Sequence, residues 1–393
     1  MEALLGPLEG LKIIEFAAVG PAPMCAMLLA DLGATVLRID RVTPVELGKE
    51  RPLQYDLLLR NRTSIALDLK APEGRAVAMD LLANADALIE GMRPGVMERL
   101  GLGPEVCLER NPKLVYGRMT GWGQSGPLAD AAAHDLNYIA ITGALDAIGR
   151  AGEAPSIPIN LLGDYAGGSL FLALGILAAL HESRDSGRGQ VVDAAIVDGV
   201  GALMTSLFGM RAAGMWKLER GSNIADSGTP FYDVYACSDG KYISVAPIET
   251  RFFEELLRHL DIPLSQFPDR WDKQQWRRLR ETLASKFLTR SRDEWAALLE
   301  GTDTCFAPVL TMDEAPTHPH AAMRGAFATI NGIQQPAPAP RFSRSRPPPP
   351  TPPQATSRDE AFEALRMWLG TALYNELEQS GRLDAVHGSQ SPQ

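Results

Sequence analysis

Leu11-Lys12-Ile13-Ile14-Glu15-Phe16 and, further on, Ala34-Thr35-Val36-Leu37-Arg38-Ile39-Asp40 are two short apolar runs. Between them lie the turn residues Gly20-Pro21-Ala22-Pro23 and an apolar stretch from Met24 to Leu32 that ends at Gly33. Runs of this length and composition are buried strands, and the intervening stretch is long enough for a helix that Gly33 stops, so the segment forms a β-α-β unit of the doubly wound kind. The turn lacks a Gly-x-Gly-x-x-Gly pattern, which argues against a nicotinamide or flavin dinucleotide there.

The alternation continues outward. Glu73 to Ala83 leads as a helix into the strand Ala87-Leu88-Ile89-Glu90, and Gly103 to Arg110 leads into Leu114-Val115-Tyr116-Gly117-Arg118. Gly187-Arg188-Gly189-Gln190-Val191-Val192-Asp193 reads as a turn and a strand, followed by one long helix from about Val197 to Gly214. Beyond Gly228-Thr229-Pro230 the pattern changes to a hairpin: Phe231 to Ala236 and Lys241 to Ala246 flank the turn signal Ser238-Asp239-Gly240. Glu249 follows, just before an amphipathic helix from Phe252 to Leu260. The expected organisation is therefore α/β: a large domain over 1–215, a small α+β domain over 225–310, and a connection over 311–385. Ser357-Arg358-Asp359-Glu360 caps a last helix, nine prolines between Pro336 and Pro353 make an extended linker, and 386–393 is a disordered tail.

Composition narrows the function classes. The chain has 393 residues, 45% of them apolar, enough for a large core and two domains. Its 48 acidic and 38 basic side chains give −10, the wrong balance for neutralising nucleic-acid phosphates. Cys25, Cys107, Cys237 and Cys305 are widely spaced, without metal-ligand spacing, and read as reduced core thiols. His318-Pro319-His320 lacks a nearby third ligand and reads as a surface turn, so no metal is expected. The acidic, interrupted N-terminus is not a secretory signal, and the apolar run Leu170 to Leu180 is shorter than the roughly 18–20 residues a membrane span needs. A soluble, cytoplasmic protein without nucleic-acid or membrane partners is expected.

Three features carry chemistry. Between Arg38 and Arg75, Arg38, Arg41, Lys49, Arg51, Arg60, Arg62, Lys70 and Arg75 outnumber the acids, which reads either as a mixed-charge surface or as a phosphate-binding patch. Gly121-Trp122-Gly123-Gln124-Ser125-Gly126-Pro127 is a loop whose glycines allow close backbone approach to a ligand, or a plain turn. His134-Asp135 and Asn160 to Asp164 place an imidazole and two carboxylates around turn-rich sequence. On spacing alone His134 is equally a core histidine, and Asp164 equally the cap of the apolar helix after it.

Read together, these stretches resemble one family, the alpha-methylacyl-CoA racemases of the family III CoA-transferase superfamily. The resemblance rests on Ala18 to Ala34, Leu67-Asp68-Leu69-Lys70, Arg93 to Gly101, the Gly121 to Pro127 loop, and the boxes at His134 to Tyr138 and Asn160 to Asp164. It continues through Gly187 to Gln190, Thr302 to Cys305 and His318 to His320. It implies a Rossmann-like large domain made from both ends of the chain, a small inserted domain, and two subunits interlocked as a homodimer. It further implies that Arg38, Leu67, Asp68, Leu69, Lys70 and Arg93 hold the CoA part of an acyl-CoA substrate, together with Ala133, Asn137, Tyr138 and Asn160. No separate cofactor is implied. His134 and Asp164 are the implied acid-base pair, with Glu249 orienting His134 across the subunit interface and Asp135 beside them.

The chemistry so implied is inversion of the carbon next to a thioester. One base removes the proton, a conjugate acid on the other face returns one, and donors near the start of the helix at Asp164 stabilise the enolate. The alternative enzyme is a CoA-transferase of the same superfamily, whose nucleophilic aspartate corresponds to Asp135. His134 before it and Asn137-Tyr138 after it depart from the transferase pattern. A silent CoA-thioester-binding protein is the non-enzyme alternative, and it predicts loss of His134, Asp164 or Glu249. The chain departs from the family in the proline-rich stretch Arg344 to Pro353.

Overall fold

A computed structural model of the chain describes residues 6–43 and 51–389. These residues form two compact units: Met1–Thr142, Ile159–Leu203 and Met323–Gln393 make the first, and Gly143–Pro158 with Met204–Ala322 makes the second.

The first unit is built on the strands β1 (Lys12–Phe16), β2 (Thr35–Arg41), β3 (Arg62–Leu67), β4 (Ala87–Glu90), β5 (Val115–Thr120) and β6 (Val191–Ala195). All six are parallel, in the order β3-β2-β1-β4-β5-β6. β1 and β4 are buried along almost their whole length, as strands covered on both faces must be. On one face Ile14, Leu37, Ile65 and Leu88 pack with Val77 and Leu81 of the helix Pro72–Leu82 and with Leu365 and Trp368 of the helix Arg358–Gln379. Each such aliphatic side chain contributes about 1.5–3 kcal/mol by leaving water. Trp368 also donates its indole N–H to the Leu81 carbonyl (3.0 Å). The Ser357 capping box forms as expected: Glu360 N–H donates to Ser357 Oγ (3.2 Å), and Ser357 N–H donates to the Glu360 carboxylate (2.7 Å).

Against the same sheet lie the helices Pro21–Asp31 and Leu170–Ser186, the latter preceded by a wider π-type turn, Leu161–Ser169. Prolines at the first helical positions let the former start before Met24, since a helix has no use for its first N–H groups. Joined, Leu161–Ser186 is long and apolar enough by length and composition to cross a membrane, unlike the Leu170 to Leu180 run taken alone. Leu172 and Ile176 of this helix are buried, and they close over Gly117 of β5.

In the second unit β7 (Asp233–Ala236), β8 (Tyr242–Val245) and β9 (Phe306–Pro308) form an antiparallel sheet. Its core includes Phe231, Phe253, Phe287 and Trp295. Asp233 is buried and receives the guanidinium groups of Arg150 (2.8 Å) and Arg280. That pairing explains why Gly143–Pro158 belongs here and not to a large domain running unbroken to residue 215. The expected single helix from Val197 to Gly214 is two helices, Ile196–Leu203 and Thr205–Ala212, which meet at the division between the units.

Two further strands of the first unit, β10 (Phe327–Ile330) and β11 (Ile333–Pro336), form a hairpin inside the span read as a connection. Asn331 and Gly332 both have positive φ, the turn a two-residue hairpin needs. The tail expected from residue 386 is corrected as well: β12 (Val386–Gly388) pairs antiparallel with β3, and Val386 is fully buried. Residues 390–393 of that tail lie outside the described residues.

In the charged stretch that begins at Arg38 three arginines are internal, while Arg41, Arg51 and Lys70 are exposed. The buried Glu15 carboxylate accepts from Arg62 (2.8 Å) and lies 3.7 Å from Arg38, which also bonds Asp40 (2.8 Å). Arg60 makes a two-pronged pair with Asp31 (2.5 and 3.0 Å) and donates to Gln335 and the Pro336 carbonyl, tying β11 to the sheet. Arg38, Arg60 and Arg62 are thus buried ion-pair partners, not an open patch, while Lys49 lies outside the described residues. Burial raises the Glu15 carboxyl and the two arginines oppose that rise. Arg62→Met should therefore lower stability by about 3–5 kcal/mol in urea unfolding, because a buried carboxylate loses its main counter-charge. Adding Glu15→Leu should restore most of the loss; equal midpoints for wild type and Arg62→Met would show that the pair carries no such load.

Candidate functional site

A cleft of about 290 Å³ lies in the first unit, at the carboxyl ends of β1, β4 and β5. Gly20 and Pro21 follow β1, Gly91, Met92 and Arg93 follow β4, and Thr120, Gly121 and Trp122 end and follow β5. Strand order reverses between β1 and β4, and in open α/β sheets the chain parts at that point to leave room for a ligand.

His134 and Asp164 both line this cleft. His134 is exposed and immediately precedes the helix Asp135–Ile141. Its N–H donates to the Asn137 side-chain oxygen (3.1 Å), so Asn137 fixes the helix start. Tyr138 donates its hydroxyl to the Ala133 carbonyl (2.6 Å) and meets Trp122 edge-on at 4.8 Å. A side chain at Gly121 would fall 2.0 Å from the Tyr138 ring. That glycine makes room for the Tyr138 ring.

Asp135 is buried and faces the other segment. Its Oδ1 accepts the backbone N–H of Asp164 (2.7 Å), and the N–H of Gly163 also bonds its carboxylate. A Cβ on Gly163 would lie 2.2 Å from the same oxygen, so only glycine fits. Asp135 therefore acts as a clamp between the helix that follows His134 and the turn that carries Asp164. Burial raises its pKa and the two N–H donors oppose the rise.

The Asp164 carboxyl is pushed up to about 6, first by burial and then by the Asp135 charge, while Asn160 (3.5 Å) and His134 oppose the shift. A carboxyl in that range exchanges a proton near neutrality, as a group that must both take and return protons requires. The Asp164 N–H is thereby occupied by Asp135.

Of the residues implied to hold CoA, Arg93, Ala133 and Tyr138 line the cleft. Asn137 and Asn160 do not line it but bond two residues that do, His134 and Asp164. Leu67 is buried at the end of β3, and Asp68 accepts from the Lys70 N–H (2.9 Å) in the exposed turn that follows. Arg38 lies inside the sheet in the ion pairs described above. Glu249 belongs to the second unit, where it is exposed at the N-cap of the helix Thr250–His259. Cys25, Cys107 and Cys237 are buried, Cys305 is partly exposed, and all four are free. Among the described residues no three His, Cys, Asp or Glu side chains are grouped to hold a metal ion. Sequence reasoning missed Gly91, Met92, Met119, Thr120 and Ile196 in the cleft wall. The rule that ligands sit at the carboxyl ends of parallel strands was the available signal for most of them.

Residues 8–356 match the family model CoA-transferase family III. The chain is 42% identical over 341 residues to Alpha-methylacyl-CoA racemase from Mus musculus, covering 87% of each sequence. It is 41% identical over 336 residues to Alpha-methylacyl-CoA racemase from Homo sapiens, covering 85% of this chain and 86% of the relative. Among solved structures, a CAIB/BAIF family protein from Brucella suis superposes with a TM-score of 0.76 at 26% identity, over 93% of this chain and all of the other. With nearly its whole length matched, the chain belongs to CoA-transferase family III.

Proposed function

We propose that the chain is a racemase that interconverts (2R)- and (2S)-2-methylacyl-CoA thioesters through an enolate, with CoA as part of the substrate and no separate cofactor. The observation that carries this is the convergence of His134 and Asp164 on one cleft, with the Asp164 carboxyl pushed up to about 6. One of the pair removes the α-proton and the other returns a proton to the opposite face. The racemase names of the mammalian relatives support the substrate class. The strand order β3-β2-β1-β4-β5-β6 supports a Rossmann-like large domain that holds CoA near Arg93, Tyr138 and the Leu67 to Lys70 turn. Ala133, Asn137 and Asn160 complete the CoA-binding set in this reading.

Each general acid or base supplies about 10²–10⁴ in rate, so two leave a large part of the barrier to electrostatic stabilisation of the enolate. With the Asp164 N–H bonded to Asp135, the donors in this reading are other N–H groups near the start of the helix at Asp164.

Homodimerisation is part of the proposal. Leu161, Leu170 and Leu174 are large apolar side chains at least half exposed in the first unit, as are Phe208 and Met215 in the second, a surplus that a second copy would cover. In that assembly Glu249 from the other copy orients His134.

Three experiments test the reading. In heavy water without added acid, a single-enantiomer 2-methylacyl-CoA should lose chirality and gain α-deuterium. No α-deuterium, with a new acyl-CoA formed only when a free carboxylic acid is added, would instead establish CoA transfer. His134→Ala should depress racemisation by about 10²–10⁴, and near-normal turnover would remove His134 from the mechanism. In Asp135→Asn an acceptor oxygen remains but the charge is gone, so the Asp164 carboxyl should titrate below about 6, and the acid limb of the rate profile should move down with it. Carbon NMR of the Asp164 carboxyl reads the shift directly; an unchanged midpoint would assign the whole elevation to burial.

A further inference from the structure

The turn that carries Arg93 runs from the end of β4 to the short helix Val96–Arg99. Gly91, Met92, Arg93 and Pro94 form one wall of the cleft. Such a turn has few main-chain bonds of its own, the Val96 N–H to the Arg93 carbonyl (3.1 Å) being one. What holds its two ends is a side chain from the neighbouring strand.

Arg118 of β5 is 6% exposed. Its Nε donates to Glu90 Oε1 (2.9 Å), Nη1 to Glu98 Oε1 (2.7 Å) and Nη2 to Glu98 Oε2 (3.3 Å). Glu90, the last residue of β4, is fully buried, and its other oxygen accepts the Met92 N–H (2.7 Å). One planar guanidinium thus bridges the residue just before the turn and a residue just after it, a geometry that a lysine's single ammonium does not reproduce. Burial pushes the Glu90 carboxyl up to about 7, and the Met92 N–H and Arg118 oppose the rise.

We propose that Glu90, Arg118 and Glu98 form a positioning staple that presets the 91–97 turn, so that Arg93 meets the nucleotide phosphates of the CoA substrate without first being ordered. None of the three touches the reacting atoms. The proposal rests on the reading of Arg93 as a CoA-binding residue.

Glu98 is the place to cut, because its side chain is 45% exposed and its loss leaves Arg118 still paired with Glu90. In the full-length protein, Glu98→Ala should raise KM for the acyl-CoA about tenfold, the effect of one lost charge-assisted bond, with kcat nearly unchanged. A truncated 2-methylacyl thioester of pantetheine, which lacks the nucleotide, should show no such rise. In an Arg93→Ala background Glu98→Ala should add nothing, since the residue it positions is gone. Glu98→Gln serves as the second variant if the alanine protein does not fold. An unchanged KM in folded Glu98→Ala, an equal loss with the truncated thioester, or the same factor with and without Arg93 would overturn the staple. Arg93→Ala with wild-type KM would overturn the CoA reading itself and the proposal with it, so the two failures are distinguishable.

Discussion

The Asp135 carboxylate joins two segments that the sequence separates and that the proposed chemistry needs side by side. It sits at the first position of the helix that begins after His134, and it accepts the main-chain N–H groups of Gly163 and Asp164. Hydrogen bonds to an ionised acceptor are roughly twice as strong as neutral ones, and two of them oppose, without cancelling, the cost of placing this charge among buried atoms. The glycine at 163 follows from the same contact, because a larger residue would meet the carboxylate oxygen. Without the clamp, the wide turn at Leu161–Ser169 has no fixed register against the helix bearing His134. With it, the Asp164 side chain faces the cleft beside Gly20.

The same bond separates two kinds of chemistry available to this superfamily. A carboxylate that attacks an acyl carbonyl must be free to leave its donors and carry the acyl group outward. Asp135 has its carboxylate turned toward main-chain donors and is almost wholly buried. Its negative charge also bears on Asp164, helping hold that carboxyl near the middle of its titration, where it is useful as an acid and a base. In the proposed racemase reading Asp135 is a positioning residue for Asp164.

Much of the fold was legible because parallel strands and their helices have long, distinctive apolar patterns. β1, the helix after it, β2, β4 and β5 fall within a few residues of where their sequences place them. What escaped has identifiable physical reasons. β3 begins with Arg62-Thr63-Ser64 and looks polar, because Arg62 is neutralised by Glu15, a partner distant in sequence. β12 is a three-residue edge strand whose stability comes from pairing with β3 rather than from composition. The Asn331-Gly332 turn was present in the sequence but overshadowed by the prolines after it. At the site, spacing alone left His134 and Asp164 ambiguous, and the role of Asp135 was illegible because main-chain acceptance leaves no pattern in side-chain chemistry.

Two fully buried carboxylates, Glu15 in β1 and Glu90 in β4, extend the same logic. Glu15 meets Arg38 of β2 and Arg62 of β3, and Glu90 meets Arg118 of β5. As stabilising devices they are poor choices, since removing two charges from water costs several kcal/mol per ion before their attraction returns anything. A leucine or methionine pair would fill the same volume without that cost. A hydrocarbon, however, accepts no N–H group, and Glu90 accepts that of Met92 while Arg62 donates to the Pro23 carbonyl in the helix behind Gly20. The ion pairs therefore fix backbone on two sides of the cleft, in the turn after β4 and in the helix after β1, where apolar packing offers no directional hold.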